Sequence, residues 1–297
     1  MKYVITGGAG HISKPLAERL LTAGHQVTVV GRNPENLKSL AAKGAKTAIG
    51  SVEDVSFLTK TFKGADAVYT MVPPQFGASD WKAYIGQIGQ NYADAIKSAG
   101  IKYVVNLSSI GAELPEGAGP VSGLYRVEQA LNALTDVHIK HLRPGYFFTN
   151  FFSSIPMVKG MNLLGSNVST PGTKIILADT NDIADVAATF LLNLDFKGHS
   201  IRYIASDERT PVEIASVLGK AIGKPELPYV EFSDEDTLNG LKQAGLPEEV
   251  AKNYTEMGHA MRTGPMVKDY WKNHPHELGR TRLEDFAKEF ALAYQRN

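Results

Sequence analysis

Cysteine is absent from the 297-residue chain. That removes disulfides, cysteine-ligated zinc, iron–sulfur clusters and thiol nucleophiles together. It also suits a reducing compartment, so a cytoplasmic location is expected. An excess of one charge sign is missing too: 31 Lys and Arg residues balance 31 Asp and Glu residues, for a formal net charge of zero. A balanced chain has no bulk field to attract a polyanion, and no local basic run replaces one. Neither nucleic acid nor a membrane surface is therefore expected as a partner. No apolar run approaches the ~18 residues of a membrane span. Glycines interrupt the N-terminal Met1-Lys2-Tyr3-Val4-Ile5-Thr6-Gly7 well short of a signal-peptide core. Walker loops, G-x-S-x-G elbows and H-E-x-x-H helices do not occur. His274-Pro275-His276 and His259 have no carboxylate at ligand spacing, so they are read as surface loop and no metal site is expected. Internal repeats and long linkers are also missing.

What remains is the composition of a soluble globular protein, 43% hydrophobic and 21% charged. Its length suits one large domain or two modest ones. Short, β-rich, nearly continuous apolar runs recur at Tyr3 to Thr6, Gln26 to Val30, Lys46 to Ile49, Ala67 to Met71 and Lys102 to Leu107. Such runs suit strands buried on both faces of a parallel sheet. Helical stripes lie between them: Leu16, Leu20 and Leu21; Leu37, Leu40 and Ala41; Val55, Leu58 and Phe62. A longer helix runs from Trp81 to Ser98, with Ser79 or Asp80 as its cap. Strand–helix alternation at this spacing predicts βαβ units, hence an α/β fold with a doubly wound parallel sheet of the Rossmann type.

The alternation loosens after Ile110. Val121 to Leu134 and Ile183 to Leu192 read as helices, and His138 to Leu142 and Ile201 to Ala205 as a sixth and seventh strand. Thr210-Pro211-Val212-Glu213 and Thr281 to Glu284 each have the spacing of a capping box at a helix start. The last helix carries a stripe of Leu283, Phe286, Phe290 and Tyr294, and Tyr229 to Phe232 is strand-like. The expected organisation is a nucleotide-binding layer from residues 1–150 and 175–205. A smaller, mainly helical substrate cap comes from residues 151–174 and 206–297.

The first strand runs straight into Gly7-Gly8-Ala9-Gly10-His11-Ile12-Ser13 and then a helix. Glycines let the backbone turn tightly against a pyrophosphate, and first-turn N–H groups point at it. Ser13 stands where a third glycine is usual, a mild departure at a position that governs helix–strand packing. After the second strand comes Val29-Val30-Gly31-Arg32-Asn33-Pro34, with no acid for ribose hydroxyls. Arg32 beside a helix that Asn33 can cap favours a 2′-phosphate, so NADP(H) is preferred over NAD(H).

These pieces resemble the NmrA-like, atypical short-chain dehydrogenase/reductase family, near its bacterial quinone-reductase-type members. The resemblance spans nearly the whole chain. It rests on Thr6-Gly7-Gly8-Ala9-Gly10-His11-Ile12, Gly31-Arg32-Asn33-Pro34, Gly50-Ser51-Val52-Glu53-Asp54 and Gly64-Ala65-Asp66-Ala67-Val68. It continues through Leu107-Ser108-Ser109-Ile110-Gly111-Ala112, Leu142-Arg143-Pro144-Gly145-Tyr146-Phe147 with Asn150, and Asp182-Ile183-Ala184-Asp185-Val186. The resemblance implies that Ala9, Gly10, His11 and Ile12 wrap the pyrophosphate and that Arg32 takes the 2′-phosphate. It implies that Ser51 and Val52 flank adenine, although aspartate is common where Ser51 stands. Met71, Val72 and Pro73 would line the ribose side, Ser108 would lie near the nicotinamide, and Pro144, Tyr146 and Phe147 would border it.

The wider superfamily uses Tyr-x-x-x-Lys on one helical face, the lysine tuning the phenol. Here Tyr125 is present, but Gln129 stands where the lysine would be. Tyr125 is the candidate catalytic donor to a carbonyl oxygen; otherwise it is a packed helix tyrosine. Glu128 matches a glutamate of the family, or is a surface charge. Tyr146, Phe147, Phe148, Phe151 and Phe152 either line a substrate slot or fill a core. The expected function is NADPH-dependent hydride transfer to a quinone or similar conjugated carbonyl. The rival is a redox sensor that binds NADP(H) without turnover. A small-molecule substrate is expected, and self-association into a homo-oligomer stays open.

Overall fold

The computed structural model describes residues 1–296. Seven of the apolar runs form one parallel sheet: β1 (Lys2–Ile5), β2 (Gln26–Gly31), β3 (Lys46–Ile49), β4 (Ala67–Thr70), β5 (Tyr103–Leu107), β6 (His138–Pro144) and, as its last strand, β10 (His199–Ile204). The order is β10-β6-β5-β4-β1-β2-β3, and every neighbouring pair is parallel. The fold is therefore Rossmann-like α/β, as the alternation predicts. Its strand order reverses between β1 and β4, where such sheets open a ligand crevice at the strands' carboxyl ends.

Helices cover both faces because each strand alternates its side chains. Tyr3, Ile5, Ala67 and Tyr69 face a core shared with α1 (Ser13–Thr22), α2 (Pro34–Ala42) and α7 (Thr180–Asn193). Val4, Val68, Val104 and Ile139 face α3 (Val55–Phe62), α4 (Trp81–Ala99) and α5 (Pro120–Asn132). Local signals set the helix starts. Asn33 accepts the Glu35 N–H at 2.9 Å with Pro34 in the first turn, and Asp80, not Ser79, caps α4 through the Ala83 N–H at 2.8 Å.

Past β6 the chain builds a third core. A short β7 (Tyr146–Phe147) leads into a 3-10 helix (Phe148–Ser154), α6 (Ile155–Met161), β8 (Leu164–Ser166) and β9 (Ile175–Ala178). After β10 come β11 (Asp207–Arg209), α8 (Pro211–Ala221), β12 (Tyr229–Glu231), α9 (Asp234–Gln243), α10 (Glu248–Thr263), α11 (Pro265–Lys272) and α12 (Leu283–Arg296). β7, β9 and β11 form a second, three-stranded sheet in the order β11-β9-β7. Gly145 makes the turn into it: a Cβ there would stand 2.5 Å from the Ile176 carbonyl oxygen. Phe148 and Phe151 are buried against Phe286 of α12, so these aromatics fill a core and do not line a slot.

The capping box at Thr210 forms, with the Thr210 hydroxyl and Glu213 carboxylate each taking the other's backbone N–H. The one expected at Thr281 does not. The Thr281 N–H and hydroxyl both donate to the buried Asp182 carboxylate at 3.1 and 3.2 Å, and Glu284 turns outward to Arg209. Among the described residues no helix is long and apolar enough to cross a membrane.

Candidate dinucleotide site

At the switch point between β1 and β4 lies a cleft of about 850 Å³, a volume within the usual range for a cofactor site. Its floor begins with the glycine turn. Gly7 has φ +88°, and a Cβ there would stand 2.6 Å from Ser13 Oγ and 2.9 Å from the Met71 side chain, so no larger residue fits. Ser13 compensates for the missing third glycine with a bond of its own: its hydroxyl donates to the Thr6 carbonyl at 2.8 Å, tying α1 to β1. The N-terminus of α1 has no side-chain cap and no acid in its first turn. The Lys14 and Leu16 N–H groups are taken by the Gly10 and Ile12 carbonyls and Pro15 has none, so it is the positive end of the helix dipole beside the glycine turn that favours an anion. The strand ends are held rigidly: the Thr6 hydroxyl accepts the Met71 N–H at 3.0 Å, and the Tyr92 phenol donates to the Met71 carbonyl at 2.7 Å.

One end of the cleft carries both Arg32 and Glu53. Arg32 is exposed and has no hydrogen-bond or ion-pair partner among the described residues. Opposite it the Tyr84 hydroxyl donates to Glu53 Oε1 at 3.0 Å. Burial, then that bond and charge, push the Tyr84 phenol up to about 12. Gly7, Ala9, Gly10, His11, Ile12, Arg32, Ser51, Val52, Met71, Pro73 and Phe147 all line this one cleft. The other expected residues lie elsewhere. Val72 packs against the core on the α4 face, because alternation past β4 turns it away from Met71 and Pro73. Pro144 is buried, its carbonyl accepting the Ile110 N–H at 3.1 Å. Tyr146 points from β7 opposite to Phe147, its ring 5.4 Å from Phe151. Burial, and then Tyr254 and Tyr229, push its phenol up to about 12.

Ser108 and Tyr125 do not line this cleft. The Ser108 hydroxyl is buried and donates to Glu128 Oε1 at 2.5 Å. Glu128 is no surface charge: it is buried and holds the Arg143 guanidinium through contacts of 3.0 and 2.6 Å. Arg143 also donates to Glu113 at 2.8 Å and to the Tyr203 hydroxyl at 3.1 Å, and Tyr203 in turn donates to Asp269 of α11. Tyr125 lines a separate cavity of about 290 Å³ with Gln129, His141 and Arg143, and shares no wall with the large cleft. Tyr125 and Glu128, three residues apart on α5, share one helix face and one wall of this smaller cavity.

Sequence reasoning missed Tyr69, Pro74, Tyr84, Leu107, Thr149 and Thr180, which also line the cleft. Only the strand-end position of Leu107 gave a signal that could have found it. Outside the cleft lining, Phe76, Trp81 and Tyr254 of α10 meet edge to face, with Phe76–Trp81 and Trp81–Tyr254 centroids 5.5 and 5.4 Å apart. His274 of the former histidine cluster bonds Glu208 at 2.6 Å, and no group of three or more candidate metal ligands occurs among the described residues.

The model of the NmrA-like family matches residues 2–287, and the chain belongs to that family. It is 22% identical to an NAD(P)H azoreductase of Xenophilus azovorans over 98% of both chains. In structure it resembles an NADPH-dependent quinone oxidoreductase of Escherichia coli solved with NADPH, with a TM-score of 0.81, 22% identity and coverage of 97% and 99% of the two chains. It also resembles the triphenylmethane reductase of a Citrobacter species solved with NADP(H), at a TM-score of 0.79 and 22% identity, again over 97% and 99%.

Proposed function

Starting from membership of the NmrA-like family, we propose that the cleft binds NADP(H) and that the protein reduces a flat, conjugated acceptor of the quinone class. The observation that carries this reading is the pairing of an uncapped, glycine-floored α1 N-terminus with an unpartnered Arg32 in one cleft. Two anion sites joined in this way suit a pyrophosphate and a 2′-phosphate. The names of the relatives, an NAD(P)H azoreductase and two reductases solved with NADP(H), support the same class.

A bound reduced nicotinamide supplies the hydride. The chain's own residues do the rest. Gly7 to Ile12 hold the pyrophosphate, Ser51 and Val52 flank the adenine, and Met71 and Pro73 wall the ribose side. Phe147, Thr149, Asn150, Pro73 and Pro74 line the same cleft and offer a flat acceptor an aromatic, proline and hydroxyl wall. A quinone gains its second proton at an oxygen that water reaches, so no tuned phenol is required. Residues 151–174 and 206–297 act as the substrate cap over residues 1–150 and 175–205. Val72, Ser108, Pro144 and Tyr146 support the site from behind.

One observation favours the rival reading of a sensor: Tyr125 stands outside the cleft and Gln129 cannot tune it. NADPH oxidation followed at 340 nm against a panel of quinones, azo dyes and enones decides between them. Turnover with a quinone is expected, unchanged in Tyr125→Phe. Tight NADPH binding with no turnover on any acceptor would leave the sensor.

A further inference from the structure

Glu53 is an exposed carboxylate with little freedom. Its N–H donates to Ser51 Oγ at 3.2 Å, its carbonyl accepts the Asn91 amide at 3.2 Å, and its Oε1 accepts the Tyr84 hydroxyl at 3.0 Å. The same Asn91 amide reaches the Val52 carbonyl at 3.3 Å. Both backbone and side chain are thus held, although an exposed glutamate loses rotamer entropy when it is fixed. Among the described residues no cation pairs with it, and its second carboxylate oxygen has no partner. Glu53 and Tyr84 both line the cleft. A helix residue such as Tyr84 reaches that wall through its side chain, so the bonded pair stands at the wall.

The two rims of this end of the cleft come from opposite faces of the sheet. Arg32 ends β2, and Asn33 and Asn36 belong to the start of α2, on the face whose core holds Leu37 and Leu40. Val52 and Tyr84 pack on the core of the other face, under α3 and α4. A 2′-phosphate on Arg32 fixes one rim. The base leaves the ribose from the neighbouring carbon and extends over the ends of β2 and β3 toward the other rim. Its exocyclic amine lies on the edge remote from the ribose. A carboxylate only accepts hydrogen bonds, and the amine is the one polar donor that an adenine ring offers.

We propose that Glu53 is the residue that selects the base: its free carboxylate oxygen accepts the exocyclic amine of adenine, and Tyr84 is the positioning residue that holds the other oxygen. The inference rests on the reading of this cleft as an NADP(H) site. It gives the two rims separate tasks, phosphate at Arg32 and base at Glu53.

The test uses NADPH and its reduced hypoxanthine counterpart, which carries a carbonyl oxygen in place of the amine. Binding is titrated by dihydronicotinamide fluorescence in wild type, Glu53→Ala, Tyr84→Phe and Arg32→Ala. Wild type should prefer NADPH by at least about tenfold, the worth of one charge-assisted hydrogen bond. Glu53→Ala should lose about tenfold in NADPH affinity and nothing for the hypoxanthine form, so that the two bind within about twofold of each other. Tyr84→Phe keeps the carboxylate and should keep a reduced preference for NADPH. Arg32→Ala should weaken both ligands alike and leave their ratio at the wild-type value. Equal wild-type affinities would overturn the assignment without need of any variant. So would an unchanged ratio in Glu53→Ala, or an equal loss for both ligands there, the result expected if the Glu53–Tyr84 bond only ties α4 to the loop. Failure of the wild type to bind either dinucleotide would remove the cofactor reading itself, and this inference with it.

Discussion

Arg32 is the residue on which cofactor choice turns. It is exposed, has no partner and shares the cleft with Asn36, Ser51 and Glu53. A charge-assisted contact with a 2′-phosphate is worth roughly 1.5–3 kcal/mol, or about 10–100-fold in affinity. Arg32→Ala should lose that much NADPH affinity while NADH affinity moves less than about twofold, as measured by parallel titrations. Equal losses would refute the phosphate assignment. Arg32 and the glycine turn were legible because their signals are local: a strand end, a turn and a helix start within a few residues. Tyr84 was not, because its bond to Glu53 spans 31 positions and is visible only once α4 is packed on the sheet. Glu128, which the sequence left as a surface charge or a family match, is buried and bonded to Ser108 and Arg143; spacing says which side chains share a helix face, but not how deeply that face is buried.

At the scale of elements, periodicity and caps served well, and tertiary contacts overrode them at one helix start. All seven expected strands form the large sheet, and α2, α4 and α8 start at the caps their sequences announce. The capping pattern at Thr281 is equally good on paper, yet Asp182 claims that threonine from 99 positions away. Asp182 also accepts the Ser206 hydroxyl at 2.6 Å, so one buried carboxylate joins the start of α7, the end of β10 and the approach to α12. Two substitutions separate the local device from the long-range one. Thr210→Ala should cost about 1 kcal/mol, the worth of one cap. Asp182→Ala strips several charge-assisted bonds and should cost at least roughly 2–3 kcal/mol. Urea unfolding of both variants checks the order, and a larger cost for Thr210→Ala would count against Asp182 as the joint.

The molecule as a whole should be acid-sensitive through one buried imidazole. His141 is 1% exposed, with Nδ1 accepting from the Asn106 amide at 3.1 Å and Nε2 donating to Asn132 at 3.0 Å. Burial, aided by Arg143, holds it neutral and depresses it from 6.5 to about 4. The unfolded chain therefore binds the extra proton first as pH falls. The stabilisation is whole above 6.5 and drains away between 6.5 and about 4, up to about 3 kcal/mol in all. His141→Gln should show a shallower loss of stability across that window than the wild type; parallel curves would assign the acid limb elsewhere. The strand order has a consequence for synthesis. On the ribosome, β2 and β3 follow β1 and pair to one side of it, but the other edge of β1 waits for β4, some sixty residues further on. At about 5–20 residues per second, the future centre of the sheet spends several seconds as a bare, apolar edge. A translational pause just before Ala67 is where the nascent chain would be most exposed to chaperones or to self-association.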